Sequence, residues 1–206
     1  MLYDTDDRAY LDGVSGIAVT NLGHQYPRVT EAVAEQASRL IHTSNLFHIG
    51  LQEAVAEQLR AATGMENMFF CNSGAEANEA AIKLARRYGD QKGIASPQIV
   101  VLDGAFHGRT LGALSATGNQ KIRQGFGPLL EGFQRVAPDD LPAVEALAAE
   151  RQDIVAVLVE PILGEGGIRP LAADFLQGLR RLCDQHEWRS EEHTSELQSP
   201  DHLVCR

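Results

Sequence analysis

Residues 71–79 combine the residue types and the spacing of a phosphate-binding helix start. Ser73, followed three residues later by Glu76, matches a capping box, in which Ser73 caps the helix and Glu76 accepts from the Ser73 N–H. The N–H groups of Gly74 and Ala75 would then point outward at the positive end of the helix dipole, where they could bind an anion. Neither residue carries a side chain large enough to exclude a phosphate. The alternative is an ordinary capped helix without a ligand, because capping boxes are common.

Three stretches with residues suited to chemistry follow predicted strands. They are 72–76 after the apolar run 68–70, 104–110 after 99–102, and 160–167 after 154–159. The carboxyl ends of parallel strands share one edge of a sheet, and ligands bind in the crevice beyond that edge. We therefore expect the three stretches to converge on one site.

The rest of the pattern alternates predicted strands with amphipathic helices. The predicted strands are a strand or hairpin over 2–12 and single strands over 99–102, 133–136 and 154–159. The predicted helices are 27–42, 52–63, 73–88, 111–117, 141–150 and 172–188. The first of these helices carries an apolar stripe that includes Val29 and Val33. Alternation of this kind indicates an α/β layer fold with a parallel or mixed sheet and right-handed crossovers.

The composition argues against several classes of function. The net charge of −10 disfavours binding to nucleic acid or to an anionic membrane surface, and no apolar run is long enough to span a bilayer. The acidic N-terminus lacks the basic and apolar segments of a signal peptide. The three cysteines and seven histidines show no metal-binding spacing and no disulfide framework. These features predict a cytoplasmic protein without a metal.

The final stretch, residues 189–206, shows no helical or strand period. Its residues can be back-translated, in one reading frame, into the widely used short-read sequencing adapter on both sides of the variable index. We therefore interpret residues 189–206 as translated adapter, and we expect the natural sequence to stop at Trp188. The alternative is a natural polar tail.

Taken together, the motifs resemble class III aminotransferases, which are fold type I enzymes that use pyridoxal 5′-phosphate (PLP). The matching pieces run in family order across essentially all of 1–188 and are residues 10–12, 16–19, 22–24, 42–47, 72–80, 106–110, 160–161 and 164–167. Three positions depart from the family pattern. Tyr26 stands where a second His is usual, Asp7 where Gly is usual, and Leu163 where Gln is common.

The resemblance implies a domain organisation and an assembly. Residues 1–50 would form an N-terminal segment, part of the small domain and a linker, and residues 51–188 would form an incomplete large PLP-binding α/β domain. Residues 189–206 would belong to neither. Family members are homodimers with the active site at the subunit interface, so the resemblance also implies a homodimer.

The resemblance implies five cofactor-binding residues. Ser73, Gly74 and Ala75 would bind the PLP phosphate, as the helix-start pattern also suggests. Phe106 would stack on the pyridine ring, although a lone loop Phe also serves in core packing. His107 would lie beside the ring or, equally well, be a buried loop His with its own partners.

The resemblance also implies residues that face the substrate. Arg109 would pair with a substrate carboxylate, which its planar two-pronged guanidinium fits. Glu160 and Glu165 would line the site and either orient their neighbours or neutralise an arginine between half-reactions. For Glu160 the alternative is a solvated carboxylate at the end of a strand.

The resemblance assigns no catalytic residue to this chain. Family members need a Schiff-base lysine and an aspartate on the pyridine nitrogen, and both lie beyond the helix predicted to end at Trp188. The lysines Lys83, Lys92 and Lys121 match neither position.

The family members with the most similar pattern transfer an amino group from N-acetylornithine to 2-oxoglutarate in arginine biosynthesis. We therefore expect this reaction of the encoded enzyme and inactivity of the chain as it stands. The alternatives are another class III enzyme acting on succinylornithine or ornithine, and a non-catalytic α/β module that binds a phosphorylated ligand.

Overall fold

The computed structural model describes residues 1–192 in two units, Met1–Gly64 and a second unit that begins at Met65. Most of the segment interpreted as translated adapter, from residue 193 on, lies outside the described residues. The domain boundary expected at residue 50 stays a prediction.

The first unit contains two short strands and three helical segments. They are β1 (Leu2–Tyr3), β2 (Ala9–Tyr10), α1 (Ser15–Ala18), α2 (Pro27–Arg39) and α3 (Gly50–Thr63). The strands pair antiparallel, so of the two predicted alternatives, a strand or a hairpin, the structure forms the hairpin. Helix α2 starts at Pro27 as predicted but ends earlier, because Leu40 is extended. Val29 and Val33 of its apolar stripe are 48% and 63% exposed.

The segment α1 is a single turn of left-handed backbone, with φ between 51° and 67° at its four residues. Asp12 holds this turn, since its carboxylate accepts from the N–H groups of Val14 and Ser15 at 3.2 and 2.8 Å. The other Asp12 oxygen lies 2.7 Å from Nε2 of His24. The hydrogen bonds with His24 and with the Ser15 N–H hold the pKa of Asp12 below its ordinary value. These contacts offset the cost of left-handed backbone in residues other than glycine.

The second unit is a parallel sheet with helices on both faces. Its strands are β3 (Gln98–Leu102), β4 (Phe133–Val136), β5 (Ile154–Val159), β6 (Ile162–Leu163), β7 (Arg169–Pro170) and β8 (Arg189–Glu192). Its helices are α4 (Gly74–Gln91), α5 (Leu111–Ala116), α6 (Gln120–Arg123), α7 (Leu141–Glu150) and α8 (Ala173–His186). The sheet order is β4-β3-β5-β8, every pairing is parallel, and β6 and β7 form a separate antiparallel hairpin. The α/β class and the parallel sheet are as predicted.

The two central strands, β3 and β5, are buried at every residue, as their continuous apolar sequences predict. Alternate residues of a strand face opposite sides of a sheet. Val100 packs into a core with Val144 of α7 and Phe175 of α8, whereas Ile99 packs into a second core with Ile82 of α4. This two-sided burial fixes the carboxyl ends of β3 and β5, from which two of the predicted site stretches leave.

Two strand predictions were wrong. The apolar run 68–70 is not a strand, so the stretch 72–76 follows irregular backbone. Residues 189–192, predicted to have no strand period, form β8 on β5, with Ala156 opposite Arg189 and Val159 opposite Glu192. Pairing at an open strand edge uses main-chain groups and so depends little on side-chain pattern.

No helix within residues 1–192 combines the length and the apolar character needed to cross a membrane.

Candidate functional site

The start of α4 has the geometry of an anion site. Ser73 is the N-cap, and its hydroxyl oxygen accepts from the Glu76 N–H at 3.2 Å. Within residues 1–192 no acceptor takes the N–H groups of Gly74 and Ala75. A Cβ added at Gly74 would meet nothing within 4 Å, so the space in front of these groups is open. We call the N–H groups of Gly74 and Ala75, with the Ser73 cap, the phosphate cup.

The predicted return contact of Glu76 was wrong by one residue. Its carboxylate accepts from the Asn72 main-chain N–H at 2.7 Å and from the Asn72 side-chain amide at 3.2 Å, not from the Ser73 N–H. Ser73 is fully extended, with φ −158° and ψ 158°. Two donors on Asn72 therefore compete with the single donor of Ser73 for the same carboxylate.

The 104–110 loop is tied to the sheet through Glu160. This side chain, directly after β5, is 0% exposed, and its Oε2 accepts from the Phe106 N–H at 2.8 Å. The alternative of a solvated carboxylate is therefore wrong. Through this contact with the Phe106 main chain, the Glu160 carboxylate orients the loop.

His107 is held in place by hydrogen bonds to its main-chain carbonyl and N–H groups. Its carbonyl accepts from Nδ2 of Asn78 at 2.6 Å, and its N–H donates to Oγ1 of Thr117 at 3.0 Å. The His107 side chain is only 1% exposed. The structure thus places this residue inside the fold, among buried polar partners.

Gly108 brings the loop against the phosphate cup. Its φ is +129°, and a Cβ there would lie 2.9 Å from the Cβ of Ala75 and 3.0 Å from the Cβ of Ala113. Only glycine allows so close an approach with this backbone. The stretches 72–76 and 104–110 are therefore brought together, as predicted.

Phe106 and Arg109 lie on either side of this contact. Phe106 is partly buried and Arg109 is exposed, and the Arg109 guanidinium carbon lies 5.8 Å from the centre of the Phe106 ring. This distance is within the range of a cation–π interaction. An aromatic face and a two-pronged cationic donor are thus presented by one loop.

The third predicted stretch, 160–167, runs from Glu160 through β6 into the turn of the β6–β7 hairpin. A Cβ at Gly166 would lie 3.6 Å from the Gly104 carbonyl oxygen, so this turn borders the 104–110 loop. Glu165 is exposed, and within residues 1–192 its carboxylate has no hydrogen bond or ion pair. The structure brings this backbone to the site without engaging the Glu165 side chain.

Sequence reasoning missed three residues that position the loop. Asn78 and Thr117 hold His107, as described above. Glu79 accepts from the Thr110 hydroxyl and, at 3.1 Å, from the Ala113 N–H, which secures the start of α5. Asn78 and Glu79 lie inside the motif 72–80, and this position in a family motif could have identified them as candidate site residues. Thr117 gave no signal in the sequence.

The three lysines lie elsewhere. Lys83 is exposed on α4, about 13 Å along the helix axis from Gly74 at 1.5 Å per residue. Lys92, at the other end of α4, pairs with Glu187 at 2.7 Å, and the Glu187 side chain raises the pKa of Lys92. Lys121 is exposed on α6. None of the three belongs to the cup or to the 104–110 loop.

Comparison with known proteins places this chain in a family. The class III aminotransferase family model matches residues 1–188. The chain is 55% identical over 187 residues to an acetylornithine aminotransferase of Nitrosomonas europaea, covering 91% of this chain and 48% of that protein.

Solved structures agree with this assignment. The N-acetylornithine aminotransferase of Stenotrophomonas maltophilia K279a superposes with a TM-score of 0.76 at 37% identity, covering 92% of this chain and 47% of that one. The ornithine aminotransferase of Toxoplasma gondii, with partial occupancy of PLP at its active site, superposes with a TM-score of 0.86 at 29% identity. The match covers 92% of this chain and 46% of that one.

The chain thus spans about half the length of the curated relatives it matches. Since the family model nevertheless matches residues 1–188 of a 206-residue chain, the chain belongs to the class III aminotransferases.

Proposed function

We propose that this chain supplies the phosphate-binding part of a PLP-dependent aminotransferase that moves an amino group from N-acetylornithine to 2-oxoglutarate, in arginine biosynthesis. The observation that carries the proposal is the phosphate cup. It has two N–H groups without an acceptor within residues 1–192, open space at Gly74, and a glycine-lined loop packed on Ala75. Membership of the family supports the choice of PLP as the phosphorylated ligand.

The residues present fit this cofactor. The N–H groups of Gly74 and Ala75 bind the phosphate, with the Ser73 cap and the α4 dipole adding to the attraction. The face of Phe106 covers the ring, and His107 supports that position from within the fold. When bound, PLP supplies an electron-withdrawing ring, and the protein supplies binding and orientation.

The same loop carries the proposed substrate contact. Arg109 is exposed beside Phe106, and both N-acetylornithine and 2-oxoglutarate carry an α-carboxylate that a guanidinium can bind through two hydrogen bonds. Glu160 orients the loop through the Phe106 N–H, so it acts on Arg109 indirectly. Glu165 lines the outer side of the site from the β6–β7 turn.

No residue of this chain takes the proton-transfer role. The lysine that family members use, and the aspartate on the pyridine nitrogen, have no counterpart among residues 1–188. We therefore propose that the chain by itself does not turn over substrate. The complete active site, and the homodimer that forms it in the family, would require the part of the relatives that this chain does not span.

We also propose that residues 189–206 are translated adapter. The family match covers residues 1–188 and not this stretch, which supports the proposal. The pairing of β8 does not argue against it, since main-chain groups make that pairing. The test is to read the underlying nucleotides, and codons that differ from the adapter would contradict the proposal.

The test of the function is a steady-state assay of the gene product encoded by the full genomic reading frame, with N-acetylornithine, succinylornithine and ornithine as donors to 2-oxoglutarate. We expect the highest kcat/KM with N-acetylornithine. Ornithine is the second candidate, because an ornithine aminotransferase superposes with a TM-score of 0.86. Higher kcat/KM with ornithine would favour that candidate, and no transfer from any donor would contradict both.

A further inference from the structure

We propose that Asn78 and Thr117 are positioning residues that hold His107 from two sides and thereby set the distance between Phe106 and the phosphate cup. The inference rests on the proposed function, since it assigns these residues to the binding of the same cofactor. Both residues are buried, and each contacts the main chain of His107. They act through the backbone of residues 106–108.

The first part of the argument is the pair of main-chain contacts. Asn78 Nδ2 donates to the His107 carbonyl at 2.6 Å, and the His107 N–H donates to Thr117 Oγ1 at 3.0 Å. Asn78, His107 and Thr117 are 4%, 1% and 0% exposed. Hydrogen bonds in so buried a place are costly to break, because the abandoned group cannot turn to water.

The second part is that each partner is itself fixed. Asn78 lies on α4 one turn after Gly74, so it shares the helix that carries the cup. The Thr117 hydroxyl donates to the Ala113 carbonyl at 3.0 Å, which leaves its oxygen lone pairs to face the His107 N–H. His107 is therefore held between the ends of two helices.

The third part is what lies on either side of His107. The Phe106 N–H is held by Glu160 at 2.8 Å, and Gly108 is pressed against Ala75. Fixing His107 completes a rigid connection from the cup to Phe106. A ligand that contacts both the cup and the Phe106 ring depends on that connection, whereas a bare anion in the cup does not.

The test compares two probes on the full 206-residue chain by titration calorimetry. PLP reaches both the cup and the ring, and inorganic phosphate reaches the cup alone. Thr117→Val keeps the shape and removes the hydroxyl, and Thr117→Ser keeps the hydroxyl. We expect Thr117→Val to weaken PLP binding about tenfold, the effect of one lost buried hydrogen bond, and to leave phosphate binding within about twofold. We expect Thr117→Ser to restore PLP binding.

Asn78→Leu serves as the matched variant on the other side, because it keeps about the same size, removes the amide donor and adds no charge beside the phosphate cup. We expect the same selective loss of PLP binding. Equal weakening of PLP and phosphate would show a merely structural role and overturn the inference. Unchanged PLP binding in Thr117→Val, with the wild-type chain binding PLP, would also overturn it while leaving the proposed function intact.

Two further results keep the inference testable if a variant fails to fold. In the wild-type chain we expect the His107 amide to exchange its hydrogen as slowly as amides in the middle of α4, and fast exchange would overturn the inference. A wild-type chain that binds neither PLP nor phosphate would contradict the proposed function itself, and the inference with it.

Discussion

At the scale of single residues, the contact between Gly108 and Ala75 decides whether loop and cup form one site. Gly108 combines a φ of +129° with a position where a Cβ would meet two other Cβ atoms within 3.0 Å. A side chain there must displace either the loop or the start of α4. Affinity and stability should therefore fall together at this position.

Gly108→Ala is expected to weaken binding of both PLP and inorganic phosphate, because the displaced loop or helix start alters the cup. The matched control is Gly104→Ala, since Gly104 also has a positive φ, +77°, but open space around its Cβ. In the control, the free energy of unfolding should fall by only about 1–2 kcal/mol, because of backbone strain.

Urea denaturation checks the comparison between the two glycines. The free energy of unfolding should fall by about 1–3 kcal/mol more in Gly108→Ala than in Gly104→Ala, because the added Cβ overpacks the contact. Equal losses in the two variants would contradict the account of a close contact at Gly108.

The sequence predicted the cup and the loop but not their connection. Ser73 and the small residues after it are recognisable because capping depends on neighbours within one turn. The contacts of Asn78 and Thr117 with His107 join residues 29 and 10 positions apart. Such contacts depend on where α4 and α5 lie in space, which no local pattern encodes.

At the scale of elements, Asp139 links the β6–β7 hairpin to α8. Its carboxylate accepts from the Ala172 N–H at 2.8 Å, at the start of α8, and from Arg169 of β7 at 2.6 Å. The Ala172 N–H and then the Arg169 guanidinium lower the pKa of Asp139. A carboxyl group whose pKa is lower in the folded state stabilises the fold above its unfolded pKa, and this contribution is lost as the pH falls through the folded-state pKa.

Asp139→Asn should therefore lower the thermal unfolding midpoint at neutral pH, and the difference from wild type should close in acid, below the ordinary range of aspartate. The control is Asp174→Asn, an exposed carboxylate in the first turn of the same helix. Its effect should be smaller at neutral pH. If the difference in unfolding midpoint between Asp139→Asn and wild type stayed constant with pH, this role of Asp139 would be contradicted.

The elements themselves were predicted to different degrees. The strands β4 and β5 and the helix α7 have the predicted bounds. Strand β5 is a continuous apolar run and α7 is mostly apolar, and polar or turn residues flank all three elements. The hairpin of β6 and β7 was missed, since two-residue strands have no period to detect. The run 68–70 failed as a strand because a strand needs a neighbour to pair with, and apolar character alone supplies none.

At the scale of the whole molecule, the proposed PLP site lies apart from every lysine of the chain. Lys83 and Lys121 are exposed, and Lys92 is paired with Glu187. Family membership leads us to expect PLP attached to a lysine, whereas the positions of the three lysines lead us to expect no such attachment in this chain. The chain should bind PLP, yet it should not form a specific covalent bond with it.

Borohydride treatment of the chain with PLP, followed by mass spectrometry, checks this expectation. We expect no stoichiometric adduct on any single lysine. The control is the acetylornithine aminotransferase of Nitrosomonas europaea, whose sequence extends well beyond the matched region, and which should be labelled at one lysine. One adduct per chain at Lys83, Lys92 or Lys121 would contradict the proposal that this chain lacks the attachment residue.

The central claim is that the N–H groups of Gly74 and Ala75 bind the phosphate of PLP. Amide NMR spectra of the ¹⁵N-labelled chain, titrated with PLP, inorganic phosphate and pyridoxal, test it most directly. We predict that the Gly74 and Ala75 resonances move with PLP and with phosphate and stay in place with pyridoxal, which lacks the phosphate. Resonances that stay in place with PLP, or that move equally with pyridoxal, would contradict the claim.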